Sequence, residues 1–201
     1  MKTPRLILAS GSPRRRELLA TLGIPFRVEI ASVPELSARH TSYLAPREIC
    51  LANAAAKARA VARRFPHDLV LGADTEVALG ARVFGKPRSR REAASFLGDL
   101  SGATHHVITA VCLVGAARRF RLSFTDTTRV TFHPLSARQI ARYLDSIQPL
   151  DKAGAYAIQE NGAWIVERID GSLSNVVGLP LASLRDALAR TFRAWNSRSA
   201  P

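Results

Sequence analysis

The chain has 201 residues, with 29 Lys and Arg against 16 Asp and Glu, giving a formal charge of +13 at neutral pH. Hydrophobic residues make up 47% and charged residues 22%, which excludes a disordered chain and is enough to build a domain core. The longest apolar run, Val107 to Ala117, falls short of the roughly 20 residues of a membrane helix, and the N-terminal apolar run is too short for a signal-peptide core. The two cysteines, Cys50 and Cys112, sit in apolar stretches without metal-ligand spacing, which fits a reducing compartment. A cytoplasmic location without membrane attachment is therefore expected.

The positive charge has three classes of partner: nucleic acid, an anionic membrane or a small phosphorylated substrate. Only four of the basic residues are Lys (Lys2, Lys57, Lys86 and Lys152). A broad preference for Arg over Lys reflects genomic base composition as readily as function. The useful question is which few basic residues share a site.

In chain order, Leu6 to Ala9 reads as a short buried strand. Ser12 and Pro13 then cap and start a helix that carries Leu18, Leu19 and Leu22 and ends near Gly23. Phe26 to Ile30 reads as a strand. Pro46 to Phe65 reads as an Ala-rich helix with Ile49, Ala52, Ala56 and Ala60 on one face. Leu69 to Leu71 is a buried strand running into Gly72-Ala73-Asp74-Thr75, and Val77 to Phe84 a hairpin turning at Gly80. Helices are expected over 89–97 and 136–144, and strands over 106–114 and 119–132. Trp164 to Val166 reads as a strand, and 180–192 as a closing amphipathic helix. Alternating strands and helices predict the α/β class in a single domain over 1–196, with 197–201 as a disordered tail.

Four segments carry chemistry. In Ser10-Gly11-Ser12-Pro13-Arg14-Arg15-Arg16 a strand enters a helix through small residues, exposing backbone N–H groups beside guanidinium forks. That combination traps phosphate, although a capped helix with solvated Arg reads the same way. Asp74 ends a buried strand, where α/β folds place ligands, and its carboxylate suits a divalent cation or a proton from water; an ordinary turn Asp is the bland alternative. Gly80-x4-Gly85-Lys86 mimics a P-loop, but Pro87 stands where the Mg²⁺-binding hydroxyl belongs and a hairpin precedes it. Lys86 still suits phosphate as a point charge. In Asp151-Lys152-Ala153-Gly154-Ala155-Tyr156-Ala157-Ile158-Gln159, small residues allow close approach of a ligand, and Gln159 offers a paired donor and acceptor for a base edge; a Gly-containing loop entering a strand is the alternative. Neighbouring His105 and His106 point to opposite faces of a strand and do not make a metal site.

Together these segments resemble the Maf-like nucleotide pyrophosphatase family. The matching stretches are LILASGSPRRRELL, LANAAAKA, LGADTEV, FGKP, FLGDLSGATHHVITAV, DKAGAYAIQ and GSLSNVVGLPL, in the family's order and over nearly the whole chain. The resemblance implies an elongated mixed α/β sheet with flanking helices, and two lobes around a central cleft. It implies hydrolysis of nucleoside triphosphates to monophosphate and pyrophosphate with Mg²⁺ or Mn²⁺. It also implies a link to arrest of septum formation, and a homodimer as a family-level expectation.

Roles follow position by position. Asp74 matches the catalytic proton acceptor, and in the mechanism this implies Asp74 and Glu35 would hold the divalent cation. Ser10, Arg14, Arg15, Glu35, Lys57, Lys86 and Asp151 match polar positions lining the cleft. Arg14, Thr75 and Gln159 match specificity positions and resemble the dTTP/UTP branch. The chain departs from the family at Pro34-Glu35, where Asp-Glu is common, and at Ile147-Gln148-Pro149, where Gly-Glu-Pro is common. Each departure removes one acid. Two other classes compete: a nucleotide-binding regulator without turnover, and a basic nucleic-acid-binding module. Scattered Arg and 6% aromatics disfavour stable nucleic-acid binding.

Overall fold

The computed structural model describes residues 4–37 and 44–197. The chain forms β1 (Leu6–Leu8), α1 (Pro13–Ala20), β2 (Phe26–Val28), α2 (Pro46–Arg64), β3 (Leu69–Leu79) and β4 (Arg82–Phe84). It continues with α3 (Arg90–Leu100), β5 (Thr104–Gly115), β6 (Phe120–Phe132), α4 (Ala137–Asp145), β7 (Val166–Asp170), α5 (Leu173–Val177) and α6 (Leu181–Ser197). The strands make one seven-stranded sheet in the order β2-β1-β3-β5-β6-β7, with β4 paired to β3. β1 runs parallel to β2 and β3, and the remaining pairs are antiparallel.

β3, β5 and β6, of 11, 12 and 13 residues, are long enough to serve two cores. At one end α1 and α6 cover one face of the sheet through Leu6, Leu8, Leu19, Leu71, Leu184 and Leu188. α2 covers the opposite face through Cys50, Ala54, Ala58 and Val61 against Ile7 and Val70. At the other end Phe84, Phe96, Leu97, Phe132, Tyr143 and Tyr156 form a second core beneath α3 and α4. The mixed α/β sheet with flanking helices and two packed ends is the architecture expected. Among the described residues no helix is long and apolar enough to cross a membrane.

Local chemistry starts and stops the elements. Ser12 Oγ accepts the Arg15 N–H at 3.4 Å, and Pro13 occupies the first turn, where its missing N–H costs nothing. Ser136 and Gln139 form a reciprocal capping box on α4. The hairpin at Gly80 forms as expected, with Val77–Leu79 paired to Arg82–Phe84, so the Gly80–Lys86 segment is not a P-loop.

Other expectations are corrected. α2 buries Cys50, Asn53, Ala54, Lys57, Ala58 and Val61, and of the face read from its sequence only Ile49 is buried. In a helix this rich in Ala the apolar period is weak, and the helix turns two polar side chains inward because an acid on β3 receives them. Trp164 closes a 3₁₀ turn, Gly162–Trp164, rather than opening a strand. Asn161 at φ 55° starts that turn, and strand pairing begins at Val166. α5 was not anticipated. Ser197 ends α6, and 198–201 lie outside the described residues.

At Gly72, β3 and α2 approach with no room for a side chain between them. A Cβ on Gly72 would lie 2.2 Å from the Ala54 carbonyl oxygen and 2.8 Å from the Ala58 nitrogen, both backbone atoms. Glycine is therefore required there for steric reasons. Gly72→Ala is expected to lower stability by about 2–4 kcal/mol in urea unfolding, as for overpacking against rigid backbone. Gly98→Ala, at an exposed position of α3 with no atom within 4 Å of its Cβ, should instead raise it by up to about 1 kcal/mol. A Gly72→Ala protein as stable as the parent would contradict this packing.

Candidate active site

A cleft of about 870 Å³ opens beyond the carboxyl end of β1, between the two cores, and all ten residues singled out from the sequence line it. β3 divides it. Even-numbered residues face α2, as Gly72 does, and place Asp74 on that side. Thr75 points to the opposite side, toward Arg15 and Gly178.

On the α2 side Asp74 is 6% exposed and hydrogen-bonded through both oxygens. Its Oδ1 accepts from Lys57 Nζ at 2.7 Å and its Oδ2 from Asn53 Nδ2 at 3.0 Å. Asn53 and Lys57 are one helical turn apart, so both reach the same carboxylate. Asn53 also clamps the chain entering the cleft: Oδ1 accepts the Leu36 N–H at 2.8 Å, and Nδ2 donates to the Leu36 carbonyl at 3.0 Å. That clamp sets Glu35 beside Lys57, with Oε1 2.7 Å from Nζ. Burial works to raise the Glu35 pKa, but the hydrogen bond and charge of Lys57 outweigh it and hold the group below its ordinary value. Beneath them the buried Cys50 thiol donates to the Asp74 carbonyl at 3.1 Å, and burial pushes its pKa up, so it stays neutral.

On the Thr75 side Arg15 is fixed by the fold. Nε donates to the Gly178 carbonyl at 3.0 Å, Nη2 to Thr75 Oγ1 at 3.0 Å and Nη1 to Ser10 Oγ at 3.4 Å. Arg14 Nη1 lies 3.7 Å from Asp151 Oδ2 across the cleft. Asp151 also accepts from buried Lys152 at 2.8 Å, and that lysine's bond and charge overcome partial burial to lower the Asp151 pKa. Lys86 and Gln159 are exposed on the cleft rim.

The loop carrying Gln159 is anchored from below. Tyr143 donates its hydroxyl proton to the Ala157 carbonyl and accepts the Ala157 N–H, both at 3.1 Å. Tyr156 OH sits 2.9 Å from His105 Nε2, with both rings packed edge-on against Phe132. The loop bends through Gly154 and Ala155, at φ 71° and 61°.

Sequence reasoning missed two groups of the site. One is Asn53, whose i, i+4 spacing from Lys57 within LANAAAKA was the available signal. The other is Glu76, 8% exposed and two residues beyond Asp74 on the same strand face. Burial, then Asp74 and Glu35, push its pKa up to about 8.

Asp74 and Glu35 bracket a single cationic group, Lys57 Nζ, and this hard-oxygen pair fits a divalent cation of the Mg²⁺ type. Such ions take one or two carboxylates and complete their shell with phosphate and water. Among the described residues no three His, Cys, Asp or Glu converge to hold a metal by themselves, so substrate oxygens would complete the shell.

Residues 5–191 match the family model described as Maf-like protein. The chain is 49% identical over 185 residues to a Moorella thermoacetica protein named dTTP/UTP pyrophosphatase, covering 92% of this chain and 94% of that one. It is 46% identical over 191 residues to a Gloeobacter violaceus protein of the same name, covering 95% and 98%. A solved nucleoside-triphosphatase / dITP/XTP pyrophosphatase from Mycobacterium abscessus is similar over 98% of both chains, with a TM-score of 0.45 and 16% identity.

The buried His105 ring titrates at about 4, because burial and then His106 disfavour its charge. The unfolded chain therefore binds a proton between pH 6.5 and 4 that the folded chain refuses, and stability falls as pH falls through that window. The depression from 6.5 to about 4 corresponds to about 3 kcal/mol. Urea unfolding at pH 7 and pH 5 should show a steeper loss for the parent than for His105→Phe; equal losses would exclude this role.

Proposed function

The chain belongs to the Maf-like family, and from that premise we propose that it hydrolyses dTTP and UTP to the monophosphate and pyrophosphate. The observation that carries the reading is Asp74: a buried carboxylate, pinned on both oxygens, in a cleft that also carries six basic side chains, Arg14, Arg15, Lys57, Arg82, Lys86 and Lys152, against four further acids. A triphosphate brings about four negative charges, and its hydrolysis is mostly positioning and charge stabilisation.

Lys57, Lys86, Arg14 and Arg15 neutralise phosphate oxygens in this reading. Arg15 is the most preorganised of the four. Three of its five N–H groups are used by Gly178, Ser10 and Thr75, and two remain for a phosphate. Asp74 keeps one further acceptor position on each oxygen, enough to orient the attacking water and take its proton. Lys57 and Asn53 hold that carboxylate in one rotamer. Asp74 and Glu35 would hold Mg²⁺ or Mn²⁺, which when bound neutralises charge on the triphosphate and on the leaving pyrophosphate.

Arg14, Thr75 and Gln159 set nucleotide preference. Gln159 stands exposed at the rim, with its amide free to pair with a pyrimidine edge. Asp151 orients Arg14 across the cleft, and Ser10 holds Arg15.

A panel of normal and modified nucleoside triphosphates with Mg²⁺ and Mn²⁺, scored for pyrophosphate, tests this reading. UTP and dTTP should lead, and Asp74→Asn should lose ~10²–10⁴-fold in rate while unfolding at the same urea concentration. Gln159→Glu should change the ratios between nucleotides more than the rate on the best one. Full pyrophosphate release by Asp74→Asn would overturn the assignment.

A further inference from the structure

Behind Arg15 lies a chain of hydroxyls whose proton order the structure fixes. Thr109 Oγ1 donates to the Asn175 carbonyl at 3.0 Å, and a carbonyl can only accept. Thr109 has one proton, so in its 3.0 Å contact with Thr75 it accepts and Thr75 donates. Thr75 in turn accepts from Arg15 Nη2. The order therefore runs one way, from Arg15 through Thr75 and Thr109 to Asn175.

The far end of this chain is anchored. Asn175 and Thr109 are fully buried. Asn175 Nδ2 donates to the Val107 carbonyl on β5 and to Thr128 Oγ1 on β6, both at 3.0 Å. Asn175 thus fastens α5 to the sheet, and α5 leads into Gly178, whose carbonyl accepts from Arg15 Nε. Gly178 has φ 124°, a conformation L side chains rarely adopt, and a Cβ there would sit 3.5 Å from both Arg15 Nε and Thr75 Oγ1. The guanidinium is held from two directions, both originating at Asn175.

We propose that Thr109 and Asn175 are positioning residues for nucleotide binding, acting through the orientation of Arg15. The inference rests on the reading that the cleft holds a nucleoside triphosphate. It also gives Thr75 a different kind of role. Its only hydroxyl proton is committed to Thr109, so its influence on substrate choice passes through Arg15 and not through donation to a base. A Val at position 109 keeps the shape and β-branching but cannot accept from Thr75. Thr75 then has no acceptor for its proton behind it, and the hydroxyl is no longer held in the one orientation that presents its lone pair to Arg15.

The test uses a UTP analogue with an imido bridge between the α- and β-phosphates, titrated calorimetrically into the full chain. Thr109→Val should weaken binding about tenfold, the scale of a misaligned hydrogen bond to a charged group. Thr109→Ser, which keeps the hydroxyl, should bind as the parent does. In an Arg15→Lys background, where the fork is already lost, Thr109→Val should have no further effect on affinity. Equal binding by Thr109→Val and the parent overturns the inference alone, as does a tenfold loss repeated in the Arg15→Lys background. Failure of the parent to bind the analogue overturns the functional reading and this inference with it.

Discussion

Helix α2 lies against β3 with no side chain between their backbones at Gly72, and the site depends on that approach. With any Cβ at Gly72 the helix must move off the strand. Asn53 and Lys57 would move with it, and those two side chains engage both oxygens of Asp74. Asn53 also carries the Leu36 clamp, so the position of Glu35 depends on the same contact. One absent methyl group thus sets the spacing of two carboxylates and an ammonium.

The alternation of β3 then divides the chemistry. Asp74 faces α2, where carboxylates gather around Lys57. Thr75 faces the other way, where Arg15 is braced by Ser10, Gly178 and the hydroxyl chain from Asn175. Adjacent residues on one strand thereby serve opposite walls of the cleft, which the proposed function assigns to water and metal on one side and to phosphate charge on the other. The formal charge of +13 narrows accordingly: few of the basic residues face the cleft, and much of the surplus lies elsewhere on the chain.

The site was legible in the sequence to the extent that its residues sit in short motifs at element ends. Small residues, a cap and Arg at 10–16 mark a strand-to-helix turn by local rules, and Asp74 follows a short apolar run; the strand does not end at Asp74 as that run suggests, because β3 stays paired with β5 through it and continues to Leu79. What escaped depends on tertiary context. Ala-rich α2 has little amphipathic contrast, so its buried face could not be read from period alone. α5 has five residues, too few to nucleate unaided, and it is held by Asn175 bonds to β5 and β6 that no local pattern encodes. Trp164-Ile165-Val166 has strand propensity, but the left-handed Asn161 turns the chain into a 3₁₀ turn first. Glu76 was visible by the two-residue period from Asp74, and only its burial distinguishes it from a surface acid.

In the proposed mechanism Lys57 and Asp74 act as one unit, with Lys57 poising the carboxylate that handles water. A double-mutant cycle on kcat at saturating UTP tests it, using Lys57→Met, Asp74→Asn and the pair. Lys57→Met alone should be severely slowed but should slow the Asp74→Asn enzyme much less than the parent, the remaining loss being its direct charge on phosphate. Losses that multiply across the two substitutions would mean that each acts separately, and would rule out that unit.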